Sequence, residues 1–82
     1  MTYAADLASI RAAAARIEGG VHRTPVMTCS ALDDRAERAL FFKCENFQKI
    51  GAFKMRGALN AVLLLSDEAA ARGVVTHSSG NF

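Results

Sequence analysis

Between Leu40 and His77 the chain reads as a strand, a helix and a second strand, and that order asks for a βαβ unit with a parallel sheet. Leu40-Phe41-Phe42-Lys43-Cys44-Glu45 has the aromatic and apolar content of a strand with both faces partly covered. The run Ala58-Leu59-Asn60-Ala61-Val62-Leu63-Leu64-Leu65 suits a helix, and Val74-Val75-Thr76-His77 a short buried strand. The expected class is α/β. In open α/β sheets ligands bind beyond the carboxyl ends of strands. Two loops hold that position, Glu45 to Gly51 and Ser78 to Asn81.

The remaining elements follow from local signals. Residues 3 to 18 form an amphipathic pattern with Leu7, Ile10, Ala14 and Ile17 on one face, ended by Gly19-Gly20. His22 to Met27 is extended, because Pro25 pushes Thr24 out of the helical region and cannot donate to a ladder; an edge strand or a docking arm is expected. Ser30 followed by Asp33 has the form of a capping box and predicts a helix to about Ala39. Asn46 to Gly51 reads as a loop, and the helix after it as running to about Leu65. Ser66 or Asp67 then caps a short helix, Glu68 to Arg72, which Gly73 stops. No internal repeat, linker or domain boundary interrupts residues 1–82.

Composition narrows the function. A net charge of +2 with its signs interspersed gives no basic face, and no aromatic and basic interleaving is present, so nucleic acid is not an expected partner. No apolar run approaches the roughly 20 residues that cross a membrane, and Asp6 in the alanine-rich start does not suit a signal peptide; the expected compartment is the cytoplasm. Cys29 and Cys44 lack the paired spacing of a zinc site, and with His22 and His77 they match no metal pattern. No metal is expected. Both thiols are expected to be free and partly buried. The apolar fraction of 51% includes 16 alanines, which point to helices more than to a dense core. A chain of this length buries only about 60–65% of its unfolded surface.

The chemistry concentrates in Gly51-Ala52-Phe53-Lys54-Met55-Arg56-Gly57. It places Lys54 in the first turn of a helix, where the macrodipole and the unpaired N–H groups favour anions over cations. Two readings of Lys54 are open from these residues. It is either a solvated first-turn residue or an amine that loses its proton readily and attacks a carbonyl to form a Schiff base. Ser78-Ser79-Gly80-Asn81 is either a plain turn or a nest of N–H groups and short side chains for an anion or carbonyl oxygen. Phe53 reads equally as core packing, Arg56 as an ion-pairing residue on the helix surface, and His77 as a satisfied strand-end histidine.

Several motifs in order carry a resemblance. Phe42-Lys43-Cys44-Glu45-Asn46-Phe47-Gln48, then Gly51 to Ala58, then Thr76-His77-Ser78-Ser79-Gly80-Asn81 are similar to the N-terminal part of the serine/threonine dehydratase and serine racemase family. Those are fold-type II enzymes that use pyridoxal phosphate. The similarity begins near His22-Arg23-Thr24-Pro25-Val26 and stays in register to the last residue. It implies a partial three-layer αβα open sheet, truncated, of the tryptophan synthase β-like kind. It also implies that Lys54 resembles the lysine forming the Schiff base with the cofactor, and Phe53 a residue packing near its ring. Asn81 resembles the asparagine bound to the ring's 3′ oxygen. Ser78, Ser79, Gly80 and Asn81 resemble the substrate-binding loop, with Ser79 also a catalytic proton donor or acceptor on the face opposite the lysine.

The resemblance implies a lyase that removes water and ammonia from a small hydroxy amino acid such as serine, threonine or 3-hydroxyaspartate, giving a 2-oxo acid. Amino-acid racemisation is the alternative within the family, and a catalytically inactive truncated fragment the alternative of another class. Ala52 stands where many relatives have serine, and Phe82 where histidine is frequent. The glycine-rich loop for the cofactor phosphate and the residue facing the pyridine nitrogen lie in the family's later sequence. The 82 residues alone are therefore expected to bind the cofactor poorly, and the parent enzyme is expected to be a homo-oligomer.

Overall fold

The computed structural model describes residues 2–80. Asn81 and Phe82, to which the resemblance attaches roles, lie outside the described residues. The first helix, α1, spans Leu7–Ile17. Its expected start at residue 3 moves inward because Asp6 takes the N-cap. The Ser9 amide donates to Asp6 Oδ1 at 2.7 Å while the Asp6 amide donates to Ser9 Oγ at 2.9 Å, a reciprocal capping box. Gly19, at φ +84°, ends the helix in the left-handed region that glycine enters without a steric penalty. The apolar stripe is covered only at its C-terminal end: Ile17 is buried, whereas Leu7 and Ile10 are exposed.

Strand β1, Val26–Met27, follows the extended segment and pairs antiparallel with β2, Phe42–Lys43, with Val26 opposite Lys43 and Met27 opposite Phe42. The Cys44 amide extends the ribbon by donating to the Pro25 carbonyl at 2.9 Å. Between the strands lies α2, Ser30–Ala36. The capping box expected at Ser30 does not form, since Cys29 is the N-cap and supplies no side-chain bond. Asp33 instead turns its carboxylate to the other end, where Oδ1 accepts from the Leu40 amide at 2.9 Å. Glu37, left-handed at φ +55°, stops α2 three residues short of Ala39.

Residues 45–51 are two successive 3-10 turns, Glu45–Phe47 and Lys49–Gly51, in place of the expected loop. Helix α3 spans Lys54–Leu63, and α4 spans Asp67–Ala71 with the Ser66 hydroxyl accepting from the Ala69 amide at 3.1 Å. Gly73 at φ +79° ends α4 as expected. Helices α1 and α3 make the main packing contact. A methyl group at Gly20 would stand 2.5 Å from Leu59 Cδ2, so a larger residue there would make the Leu59 side chain shift. Arg16 Nη1 donates to Asn60 Oδ1 at 2.6 Å across the same contact.

Two expectations for the sheet are corrected among the described residues. Residues 74–77 form no ladder and are exposed, Val75 completely, so they are not the buried strand that their apolar content suggested. The 40–45 strand shrinks to two residues with an antiparallel neighbour, and Phe41 and Phe42 are exposed. The reason is the same in both cases. An apolar run becomes a ladder only where another backbone pairs with it, and β1 reaches only Phe42 and Lys43.

Candidate active site

Lys54 is the first residue of α3 and is exposed. Phe53 ahead of it occupies the N-cap in helical conformation, φ −61° and ψ −20°, and its ring cannot bond the helix's leading N–H groups. No acidic side chain stands in the first turn. Phe53 is 65% exposed, which removes the reading of it as core packing among the described residues and leaves an aromatic face beside the lysine. The backbone arrives at Lys54 through two consecutive left-handed residues, Ile50 at φ +62° and Gly51 at φ +71°. For a β-branched residue that conformation stores about 1–3 kcal/mol and persists only where surrounding bonds enforce it.

Those bonds run to the extended segment 22–24. Gln48, 4% exposed, reads the backbone of His22 in both directions: its Nε2 donates to the His22 carbonyl at 2.8 Å, and its Oε1 accepts from the His22 amide at 2.8 Å and the Lys49 amide at 2.9 Å. The Gly51 amide closes the turn on the Gln48 carbonyl at 2.8 Å. On the far side of Lys54, Arg56 forks onto Glu45, Nε to Oε1 at 2.5 Å and Nη2 to Oε2 at 3.0 Å, and Nη2 also reaches the His22 carbonyl at 3.3 Å. The buried Thr24 hydroxyl completes the set by donating to Glu45 Oε2. Arg56 is thus the ion-pairing residue its sequence suggested.

The Arg56 guanidinium, and next the Thr24 hydroxyl, lower the Glu45 carboxyl to about 2 from its ordinary 4.5. A carboxylate depressed in the folded state stabilises above its unfolded value and ceases to do so as it is protonated. The difference in unfolding midpoint between the natural protein and Glu45→Gln should therefore be constant above pH 4.5 and shrink as the pH falls toward 2. Urea unfolding across that window checks this, and a difference that stays constant down to pH 2 would contradict the bonding.

Ser78, Ser79 and Gly80 are exposed, with the Gly80 amide donating to the Ser78 hydroxyl at 3.0 Å in a local turn. Val74 and Thr76, just ahead of them, line an apolar groove of about 200 Å³ with Ala58, Ala61, Val62 and Leu65. The structure thus brings the chain before Ser78 against the helix that Lys54 heads. His77 is exposed and belongs to no strand. A larger open groove, about 590 Å³, lies between the end of α1 and Lys43 and Arg56; Lys54 does not line it. Cys29 is exposed and Cys44 half-buried, both unpaired, so only Cys44 has the partial burial expected of the pair.

Thr24, Glu45 and Gln48 are the residues that sequence reasoning passed over. Burial of polar side chains reveals Thr24 and Gln48, and the bonds to Thr24 and Arg56 reveal the half-buried Glu45; the one local signal was Thr24 held extended by Pro25. The set around Lys54 suits a flat, carbonyl-bearing cofactor at its reactive end: an exposed amine, an exposed aromatic ring next to it and a helix start whose N-cap side chain makes no capping bond. No group of three or more metal-ligating side chains occurs among the described residues.

Comparison with known proteins gives the family. The family model for the pyridoxal-phosphate dependent enzymes matches residues 17–82. A serine racemase of Arabidopsis thaliana is 62% identical over 79 residues, which cover 96% of this chain and 24% of the relative. A beta-hydroxyaspartate dehydratase of Paracoccus denitrificans is 57% identical over 70 residues, 85% of this chain and 22% of the relative. The structure of maize serine racemase agrees with a TM-score of 0.90 at 61% identity, covering 96% of this chain and 25% of that one. The chain spans about a quarter of the length of these relatives. Its helices and short ribbon are a small mixed part of the fold-type II α/β architecture, and the cofactor of the family is pyridoxal phosphate. The family model over residues 17–82, with relatives about 60% identical over nearly the whole of these residues, places the chain among the fold-type II pyridoxal-phosphate-dependent enzymes, the family to which it belongs.

Proposed function

We propose that the whole protein containing these residues is a lyase that removes water and ammonia from a small hydroxy amino acid, with serine, threonine and 3-hydroxyaspartate as the candidate substrates and Lys54 as its nucleophile. The observation that carries the reading is the position of Lys54, exposed at the first residue of α3 beside an exposed Phe53. Pyridoxal phosphate, when bound, supplies an electron sink for the negative charge that develops at the substrate's α-carbon. Lys54 would hold the carbonyl end of the cofactor, and its Nζ would serve as the base that accepts the α-proton. Phe53 packs beside the ring and Asn81 orients its oxygen. Ser78, Ser79, Gly80 and Asn81 bind the substrate carboxylate. Departure of the β-hydroxyl as water leaves an enamine, which hydrolyses to a 2-oxo acid and ammonia.

Racemisation of serine is the second reading, supported by the Arabidopsis and maize relatives, both named serine racemases. It uses the same residues: Lys54 takes the α-proton on one face and the Ser79 hydroxyl supplies one on the other. The protein made from its natural gene, given L-serine and 3-hydroxyaspartate, separates the two. An excess of 2-oxo acid supports the lyase, and an excess of the D-isomer supports the racemase. Borohydride reduction with peptide mapping tests both at once, since a protein with no pyridoxyl group on Lys54 has neither activity by this route. The lyase reading also puts the protein in the cytoplasm, which suits two unpaired cysteines.

A further inference from the structure

Lys54 stands near the C-terminal foot of an arch, residues 48–56, whose two feet rest on one atom. The His22 carbonyl oxygen accepts from Gln48 Nε2 at 2.8 Å, six residues before the lysine, and from Arg56 Nη2 at 3.3 Å, two residues after it. Between the feet the arch's backbone is held by turn bonds of its own, from the Gly51 amide to Gln48, Met55 to Ala52 and Arg56 to Phe53. It passes through two left-handed residues, its helix starts at a phenylalanine that caps nothing, and Gly57 follows in the first turn of α3. The Arg56 foot is the more directional one. A guanidinium fork on both oxygens of one carboxylate fixes orientation as well as distance, and the carboxylate itself is held by the buried Thr24 hydroxyl. Lys54 and Arg56 are the first and third residues of α3, so whatever fixes the guanidinium fixes the rotation of the helix turn that carries the amine.

We infer that Arg56, fixed by Glu45 and Thr24, is the positioning residue that aims the Lys54 amine. This rests on the reading of Lys54 as the residue that holds the cofactor. Arg56 touches neither cofactor nor substrate. Its function is to turn a weakly capped helix start into a rigid mount, so that the amine meets the cofactor's carbonyl carbon in one orientation. A lysine in its place keeps the charge and loses the fork. Misplacement of a reacting group by about 1 Å lowers its rate roughly 100-fold.

The test uses the enzyme made from its natural gene, stripped of cofactor and mixed with pyridoxal phosphate. Borohydride quenching at timed intervals, followed by peptide mapping, gives the rate at which Lys54 acquires the pyridoxyl group and the share that falls on Lys43 and Lys49. Exchange of the Met55 and Arg56 amides in the cofactor-free protein gives the rigidity of the mount. In Arg56→Lys and Glu45→Gln the rate at Lys54 is expected to fall about 10- to 100-fold, with label shifting to the other lysines and faster amide exchange. Thr24→Ser should keep the natural rate and Thr24→Val should slow it several-fold, a pair that needs no charge removed and serves if the other variants do not fold. Natural rate and selectivity in Arg56→Lys, or equal rates in Thr24→Ser and Thr24→Val, overturn the inference. A natural protein that takes no label at Lys54 overturns the reading beneath it, and the two failures are distinct.

Discussion

Replacing Lys54 with alanine is expected to lower turnover at least about 1,000-fold, the upper half of the range for loss of a positioned acid or base, with the cofactor's covalent anchor lost as well. The size follows from the two roles that fall on one atom. In the proposed reading Nζ would hold the carbonyl end of the cofactor and would also be the base that accepts the α-proton. Lys54→Arg should be as inactive as alanine despite keeping the charge, because a guanidinium does not give up its proton and is a poor nucleophile. Added ethylamine should restore a small part of the activity of Lys54→Ala and none of that of Lys54→Arg, whose side chain fills the space. The kinetics of 2-oxo acid and D-isomer formation from L-serine check this. Retention of a tenth or more of the natural turnover in Lys54→Ala would remove the residue from the mechanism. Ser79→Ala is the companion variant. If Ser79 supplies the opposite-face proton, D-isomer formation falls further than 2-oxo acid formation.

The start of α3 at Lys54 was legible because glycine, aromatic and lysine precede an apolar helical run, and the ends of α1 and α4 because Gly19 and Gly73 adopt the left-handed conformation that glycine favours. These signals act within one turn of chain. Caps were less legible, since Asp6-Ser9 and Ser30-Asp33 offer the same chemistry and only the first closes; Asp33 is drawn off by the Leu40 amide. The short ribbon was legible as an extended segment, not as a register, because its partner is decided by contacts between residues 26–27 and 42–43. Of the bonds around the start of α3, the sequence showed only that Arg56 is an ion-pairing residue, not its partners. Glu45 and Arg56 are eleven residues apart and Thr24 and Glu45 twenty-one, and the three lie on different elements, so no single period relates them. A left-handed Ile50 contradicts the preference of a β-branched residue, and nothing in the sequence next to it announces the Gln48 side chain that enforces it. The fold could be read where the signal was local, as at the helix start that carries Lys54; the bonds that hold that start are non-local by construction.

Residues 1–82 made as a separate polypeptide are expected to show no cooperative thermal transition, to bind the dye ANS, and to take pyridoxyl label slowly and without preference among Lys43, Lys49 and Lys54. A compact protein of 8.8 kDa exposes roughly 4,800 Å². These residues expose 6921 Å². Their radius of gyration is 16.5 Å where a compact chain of this length has about 12 Å. The excess surface is apolar in large part: Phe41, Phe47, Ile50, Val74 and Val75 are all more than half exposed, and Ile17 is the one buried apolar residue among those described. Folding must outweigh about 1–2 kcal/mol of backbone entropy per residue, chiefly through apolar burial, and one buried isoleucine cannot supply that. The clamp that Glu45 forms with Arg56 and Thr24 does not change the balance, because a hydrogen bond that water can replace contributes little on its own. Scanning calorimetry with near-ultraviolet circular dichroism decides the matter. A single sharp transition in the 45–65 °C range of ordinary domains would show that the clamp and the α1–α3 contact suffice. The absence of one, together with natural labelling of Lys54 in the full protein, would mean that the mount of Lys54 is rigid only when the apolar faces around it are covered.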